Sequence, residues 1–474
     1  MPSPPANGKT LDDENASMKD LDRDALDLGS GDIRATFRRI LFPTLLGMLA
    51  SSVFGITDGI FVGRGVGSDG LAAVNIVMPI FTLGTAFGLM FGTGTSVVAA
   101  IHLSQQNVKA ARIVTTQSFL AVLTIGVLLA VGFYAFAEQI LTLLGASDAL
   151  RPLCRDYYLW FVPYTLFIMV QIVAQFVIRL DGDPRYASLL EIIPACINIF
   201  LDWLFVFPLH KGLMGAAFAT SIGGSIGVAM GAWYMLRHPR TLVLYRLKRT
   251  LTSLRLSLRN VGYVMRVGFS GFLGEFSYSI LTLVGNYVFL RCLGEDGVAS
   301  YSVASYITPV VFMIITSISQ SAQPLMSYNY GADNALRVRR TFRLALVTSV
   351  SVATVSALLF HFFADAVVSV FLSPTSSAFP LCRDGFALFV FSLPPMALSL
   401  TAISYFQSVK RTRTANFLTL LRSLLLPVPA FLLLPLWSQT RGPWLASPLS
   451  ECLVITVVGI YALAGAFRKL PPTP

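Results

Sequence analysis

Charge is scarce in this sequence. Only 12% of its 474 residues are Asp, Glu, Lys or Arg, about half the share of a soluble domain. A water-soluble globular chain is thereby excluded. Cysteine is sparse too: Cys154, Cys196, Cys292, Cys382 and Cys452 are scattered and form no CxxC pair, which excludes a disulfide framework and a cysteine zinc site. The four histidines, His102, His210, His238 and His361, do not cluster either, and this argues against a metal centre. No GxxxxGK[ST] motif occurs, and no polar region is large enough for a nucleotide domain, so an ATP-driven pump is not supported. Gly63–Gly67 is glycine-rich but sits at the end of an apolar stretch, not on a strand–helix turn. No paired His/Asp or Ser/His groups lie within the apolar stretches, so no enzyme is expected. No cleavable signal peptide is visible, and the first apolar stretch is expected to direct insertion.

What is present is apolar. Hydrophobic residues make up 55% of the chain, and the mean hydropathy is +0.69. Apolar runs of about 20 residues recur from Arg39 onward, each long enough to cross a bilayer as a helix. Lipid forces backbone polar groups to pair within the segment, and the alternating pattern of a membrane barrel is absent. The runs predict twelve spans: 39–63, 72–101, 114–136, 157–178, 186–207, 212–236, 263–291, 300–327, 342–363, 385–407, 414–437 and 444–467. The expected fold is an all-α integral membrane protein. Four segments are expected: a disordered tail over 1–33, a six-helix lobe over 34–236, a basic linker over 237–262 and a second six-helix lobe over 263–474.

Lys and Arg set the orientation. With the N-terminus in the cytoplasm, about 23 basic residues fall inside and about 7 outside. Both termini are therefore expected in the cytoplasm, with the chain multi-pass in the plasma (inner) membrane. The formal net charge of +11 follows from this bias and does not indicate nucleic acid. The stretch Arg237–Asn260 carries seven Lys/Arg and no acid. It reads as a topology anchor, the alternative being a lipid or partner site.

An internal repeat is visible. Gly67–Ala73 (GSDGLAA) matches Gly294–Ser300 (GEDGVAS) at an offset of 294 − 67 = 227. The same offset pairs Arg64 with Arg291, Asn107 with Asn334, Arg112 with Arg339 and Pro208–Leu209 with Pro435–Leu436. Six spans per half give both halves one orientation, a parallel repeat with a substrate path between them.

Ionisable groups inside spans are expensive and mark function. Asp58 lies in span 1 and Asp202 in span 5, with Asn198 one turn before Asp202 on the same face. Asp58 and Asp202 fall roughly 8 Å, and Thr220 roughly 12 Å, from the outer ends of their spans. One cluster is geometrically feasible; a polar cluster that merely locks helices together is the alternative. At the repeat offset Asp202 faces Pro429, Asn198 faces Leu425 and Asp58 faces Gly285, so the acids belong to the first half alone. Pro427 and Pro429 are expected to kink span 11. Glu275 in span 7 is expected either to pair with Arg266 or Arg422 or to meet a cationic substrate. Glu191 and Glu451 read as interfacial. Gln171 and Gln175 read as cleft-lining or as interhelical links, and Phe276, Tyr278 and Met313 as further cleft candidates. Gly223, Gly227 and Gly231 form a ridge for close helix packing.

Several motifs carry a family resemblance. They are Phe42-Pro43, Asp58–Arg64 (DGIFVGR), Phe176–Arg185 (FVIRLDGDPR), Asn198–Asp202 (NIFLD) and Gln320–Ala332 (QSAQPLMSYNYGA). In order and spacing the chain resembles the multidrug and toxic compound extrusion (MATE) family, closest to its MepA-like branch, over roughly residues 35–467. The resemblance implies two pseudo-symmetric six-helix bundles around a central V-shaped cleft. It implies export of organic cations or other amphiphiles in exchange for H⁺ or Na⁺ by alternating access. It places the coupling cation on Asp58, Asn198, Asp202 and Thr220, with Na⁺ held there if Na⁺ is the ion. No cofactor is expected beyond that ion. The expected partners are membrane lipid and cationic amphiphiles, and a monomer is expected. Trp203 departs from the family pattern and is expected to alter the pocket. A lipid-linked oligosaccharide flippase is the nearest alternative, disfavoured by an acidic cleft.

Overall fold

The computed structural model describes residues 27–247, 250–465 and 467, and every regular element among them is helical. Eleven continuous helices are long and apolar enough to span a bilayer. One of them, Leu251–Gly331, has 81 residues. Straight, it would reach about 120 Å, four times the hydrocarbon thickness. It breaks at Gly294, where φ is 66° and ψ is −156°, a conformation that a side chain resists. The break separates span 7 (251–293) from span 8 (295–331) and brings the count to twelve. The other spans are Ile33–Gly65, Ser68–Ser104, Val108–Ala135, Arg151–Leu180, Pro184–Val206 and Gly212–Arg237 in the first lobe. In the second lobe they are Ala335–Phe362, Ala378–Ser408, Thr412–Trp437 and Gly442–Leu463. Several start earlier than their apolar runs, because polar residues continue a helix beyond the hydrocarbon. Span 7 is the extreme case. Thr250 caps it by accepting from the Ser253 amide at 3.2 Å, so the second half of the expected linker is helix.

The repeat is written into the backbone. Gly67 mirrors Gly294, with φ 95° and ψ −169°. Asn107 caps span 3 through the Ala110 amide, and Asn334 caps span 9 through the Arg337 amide, both at 3.1 Å. Gln106 and Asp333 adopt matching positive φ of 59° and 55°. The short helices Ala137–Leu143 and Ala364–Ser369 start 227 residues apart, as do spans 4 and 10. The offset then drifts: span 5 to span 11 is 412 − 184 = 228, and span 6 to span 12 is 442 − 212 = 230. Part of this is a π-helical turn at Leu421–Leu425 just before Pro427, where the missing amide hydrogen interrupts the ladder. The drift corrects three pairings. Pro208 lies beyond the end of span 5, whereas Pro435 lies inside span 11, so they are not equivalent. Asp202 falls opposite Ala430–Leu432 (202 + 228 to 202 + 230), and Asn198 opposite Leu426–Val428, rather than Pro429 and Leu425. None of these is ionisable, so the chemical inequality of the halves stands.

The lobes meet along spans 1 and 2 of the first and spans 7 and 8 of the second. Gly94 packs on the Val264 backbone and Gly268 on the Met90 carbonyl, with no room for a side chain. The Gln407 amide donates to Thr93 Oγ1 at 3.1 Å, Arg179 donates to Gln320 Oε1 at 3.2 Å, and Ser317 Oγ meets Met48 Sδ at 2.9 Å. Among the described residues, the hydrogen bonds and ring contacts between lobes lie between the middle of the spans and the basic loops. The lobes are closed at that end, and the cleft opens toward the other.

The stretch 238–247 is strapped to the first lobe. Asp181, just past span 4, accepts from the amides of Arg240, Thr241 and Leu242 at 2.7, 2.7 and 2.6 Å and from the Tyr234 hydroxyl at 3.0 Å. Burial pushes its carboxyl above the usual range, and these donors pull it back. Of the expected tail, residues 1–26 lie outside the described residues. Residues 27–32 are held: Leu28 is buried, Asn329 donates to its carbonyl at 2.8 Å, and Arg337 donates to the Gly31 carbonyl at 2.8 Å. Disorder is therefore the wrong description of that part.

Candidate functional site

The first lobe buries two acids together. Span 1 carries Asp58, span 5 carries Asn198 and Asp202, and span 6 carries Thr220; all four are buried, and Asp202 is fully inaccessible. Asp58 and the Asn198–Asp202 pair are polar positions in otherwise apolar spans, and all three are buried in the folded bundle. The carboxyls of Asp58 and Asp202 lie within hydrogen-bonding reach of each other. Asp58 Oδ1, both oxygens of Asp202 and Asn198 Oδ1 have no hydrogen-bond donor. No Lys, Arg or His forms an ion pair with either acid among the described residues. Two bare carboxylates in such contact repel strongly in a low dielectric, and a proton or a cation between them would relieve that repulsion. Thr220 plays a more local part than expected. Its hydroxyl donates to the Ala216 carbonyl at 3.0 Å and accepts from Asn198 Nδ2 at 3.2 Å. It thereby occupies the Asn198 amide nitrogen and leaves Asn198 Oδ1 without a donor among the described residues.

Two residues of the site escape the sequence reading. Tyr157 and Tyr164 of span 4 are buried, and their phenols feel the acids: Tyr157 both, Tyr164 Asp58. Tyr157 stacks on Phe161 at 5.0 Å, and Tyr164 on Phe81 at 6.0 Å. The available signal was their spacing of seven, two turns on one helix face. Trp203, by contrast, is half exposed beside Phe200, at 6.1 Å.

The other candidates separate. Gln171 donates to the Leu190 carbonyl at 2.6 Å, and Gln175 bonds Glu191, so both tie span 4 to span 5. Gly223, Gly227 and Gly231 pack internally, against Pro194, Gln171 and Ala174. Glu451 is buried rather than interfacial. It pairs with Arg422 at 2.9 Å and accepts from Ser399 at 2.9 Å. Arg422 is thereby taken, Arg266 is exposed, and Glu275 has no ion-pair partner among the described residues. Glu275 is half-buried, with Tyr278 nearby. Phe276 and Tyr278 are half exposed, and Met313 accepts from Ser52 across the lobe interface at 2.6 Å. The acids Asp58 and Asp202 are buried inside the first lobe, whereas Glu275 is only half-buried.

Comparison with known proteins agrees with this architecture. The MatE family model matches the chain twice, over residues 43–204 and 272–432, one match per lobe. The multidrug export protein MepA of Staphylococcus saprophyticus is 23% identical over 89% of this chain and 92% of its own length. The MepA of Staphylococcus haemolyticus is 27% identical over 65% of this chain and 66% of its own. An FAD transporter of Shewanella oneidensis is 21% identical over 91% and 95%. Among solved structures, an outward-facing multidrug resistance MATE transporter of the MOP superfamily superimposes with a TM-score of 0.86 at 22% identity, covering 94% of this chain and 99% of that one. A MOP superfamily transporter from Pyrococcus furiosus, described as having a binding pocket of reverse polarity, gives 0.85. With two lobes of six spans, each matching the family model, the chain belongs to the MatE family of multi-pass membrane transporters and is not an enzyme.

Proposed function

We propose that this chain is a secondary antiporter that exports cationic amphiphiles in exchange for a cation bound between Asp58 and Asp202. The observation that carries the reading is the contact between two buried carboxyls with unfilled oxygens and no basic partner. Direct contact between the two groups is the arrangement of a shared proton, which favours H⁺ over Na⁺; Asn198 Oδ1 would complete an oxygen set for Na⁺ in its place. Binding or loss of the ion changes the charge inside the first lobe, and spans 1, 5 and 6 respond together because each carries one of the groups. Substrate sits in the cleft, where Glu275 offers an uncompensated negative charge flanked by Phe276 and Tyr278. The basic end faces the cytoplasm of the inner membrane, by the Lys/Arg bias. The closed end is then cytoplasmic, and the cleft opens outward.

The FAD transporter among the relatives raises an anionic substrate as a second reading. Phosphate groups need free cations, and Arg422 in the second lobe is neutralised by Glu451, so the cation reading is preferred. Everted vesicles separate the cases. An acidic lumen should drive uptake of a fluorescent organic cation, while a Na⁺-rich lumen at equal pH should not. Uptake of FAD, or uptake driven by Na⁺ alone, would replace the corresponding part of the proposal.

A further inference from the structure

The first turns of the long span 7 helix place exposed leucines beside exposed arginines. Leu251, Leu254 and Leu258 are 87%, 58% and 66% exposed and share one face, at spacings of three and four. Arg255 and Arg259, one turn apart, form the adjacent stripe. Both are exposed, and neither has an ion-pair or hydrogen-bond partner among the described residues. The remaining face is docked. Ser257 accepts from Gln117 Nε2 at 2.8 Å, and Asn260 donates to Gln117 Oε1 at 3.2 Å. Gln117 lies about 14 Å inside span 3 from its basic end. Residues 251–258 therefore run beside the first turns of span 3, at the height where the bundle enters the bilayer surface.

Exposed leucines at that height face acyl chains, and unpaired arginines beside them face headgroups. We infer that 251–259 forms, with the first turns of span 3, a binding site for an anionic phospholipid. Its headgroup is held by Arg255 and Arg259, and its chains lie over Leu254 and Leu258. Simple topology-setting charge does not require this stripe of leucines, and an ordinary solvated helix would not expose it. The site lies where the inter-lobe strap becomes span 7, with the strap's other end fixed on Asp181. A bound lipid would therefore sit beside the start of the first helix of the second lobe. The inference is independent of the transported substrate.

The test uses the full-length protein purified in neutral detergent, with melting followed as lipid is added. Phosphatidylglycerol should raise the melting temperature, and phosphatidylcholine or inorganic phosphate should not. An R255Q/R259Q variant should melt like the native protein without lipid, and should bind phosphatidylglycerol about 30-fold more weakly, the loss expected for two headgroup-level arginines. An L254S/L258S variant should lose the same shift. If that double arginine variant misfolds, native mass spectrometry of the L254S/L258S protein decides, by its loss of retained phosphatidylglycerol. Equal shifts from both lipids, a full response to phosphate alone, or an undiminished phosphatidylglycerol response in the variants would overturn the site.

Discussion

At the scale of single residues, the decisive contrast is between two kinds of buried acid. Glu451 has a guanidinium at 2.9 Å and a serine hydroxyl; Asp202 has another carboxyl and no donor. The first is a structural pair, and removing one partner strands the other in low dielectric. Glu451→Gln should therefore destabilise the protein by about 3 kcal/mol, whereas Glu275→Gln, which strands nothing, should leave the melting temperature within about 1 °C and raise KM for cationic substrates alone. Melting curves beside uptake kinetics check both. Asp58, Asn198 and Asp202 were legible in the sequence because an ionisable group in an apolar run stands out. Tyr157 and Tyr164 were not, since tyrosine is common here, with 16 in the chain, and is equally at home at interfaces. The choice of partner for Arg422 was also hidden. Spans 7 and 12 both bring a glutamate into the second lobe, and only packing decides which one reaches it.

At the scale of elements, apolar runs located all twelve spans but not their ends. Hydropathy reports the hydrocarbon, while capping and helix propensity set where a helix begins and ends, as Thr250 does thirteen residues before the expected start of span 7. The repeat offset was legible through span 4 and drifted afterwards, partly because a π turn shifts register without leaving a mark in composition. Gly67 and Gly294 are the clearest elements of the repeat, each turning the chain between the first two spans of its lobe with positive φ. Gly294→Ala should cost about 1–3 kcal/mol, measurable as lower melting temperature and expression with unchanged substrate preference. An equal loss is expected for Gly67→Ala, since the two positions do the same work in the two lobes.

At the scale of the whole molecule, symmetry of scaffold and asymmetry of chemistry coexist. The lobes share caps, turns and short helices, yet the positions opposite Asn198 and Asp202 in the second lobe are apolar. One lobe can therefore sense the ion while the other follows through the interface of spans 1, 2, 7 and 8. That interface closes through Gly94 and Gly268, where backbones touch. A side chain at Gly268 must push the lobes apart at the basic end, so Gly268→Val should increase labelling of a cysteine placed at Ser104 by a membrane-impermeant thiol reagent from the cytoplasmic side, by roughly tenfold if opening becomes favoured by about 1.4 kcal/mol. The central claim is that transport runs on the Asp58–Asp202 pair. Its most direct measurement is gradient-driven uptake of a fluorescent organic cation by vesicles bearing native, Asp58→Asn or Asp202→Asn protein at matched expression. The account predicts that each substitution reduces uptake to the background of protein-free vesicles, with folding intact; uptake at the native rate in either variant would contradict it.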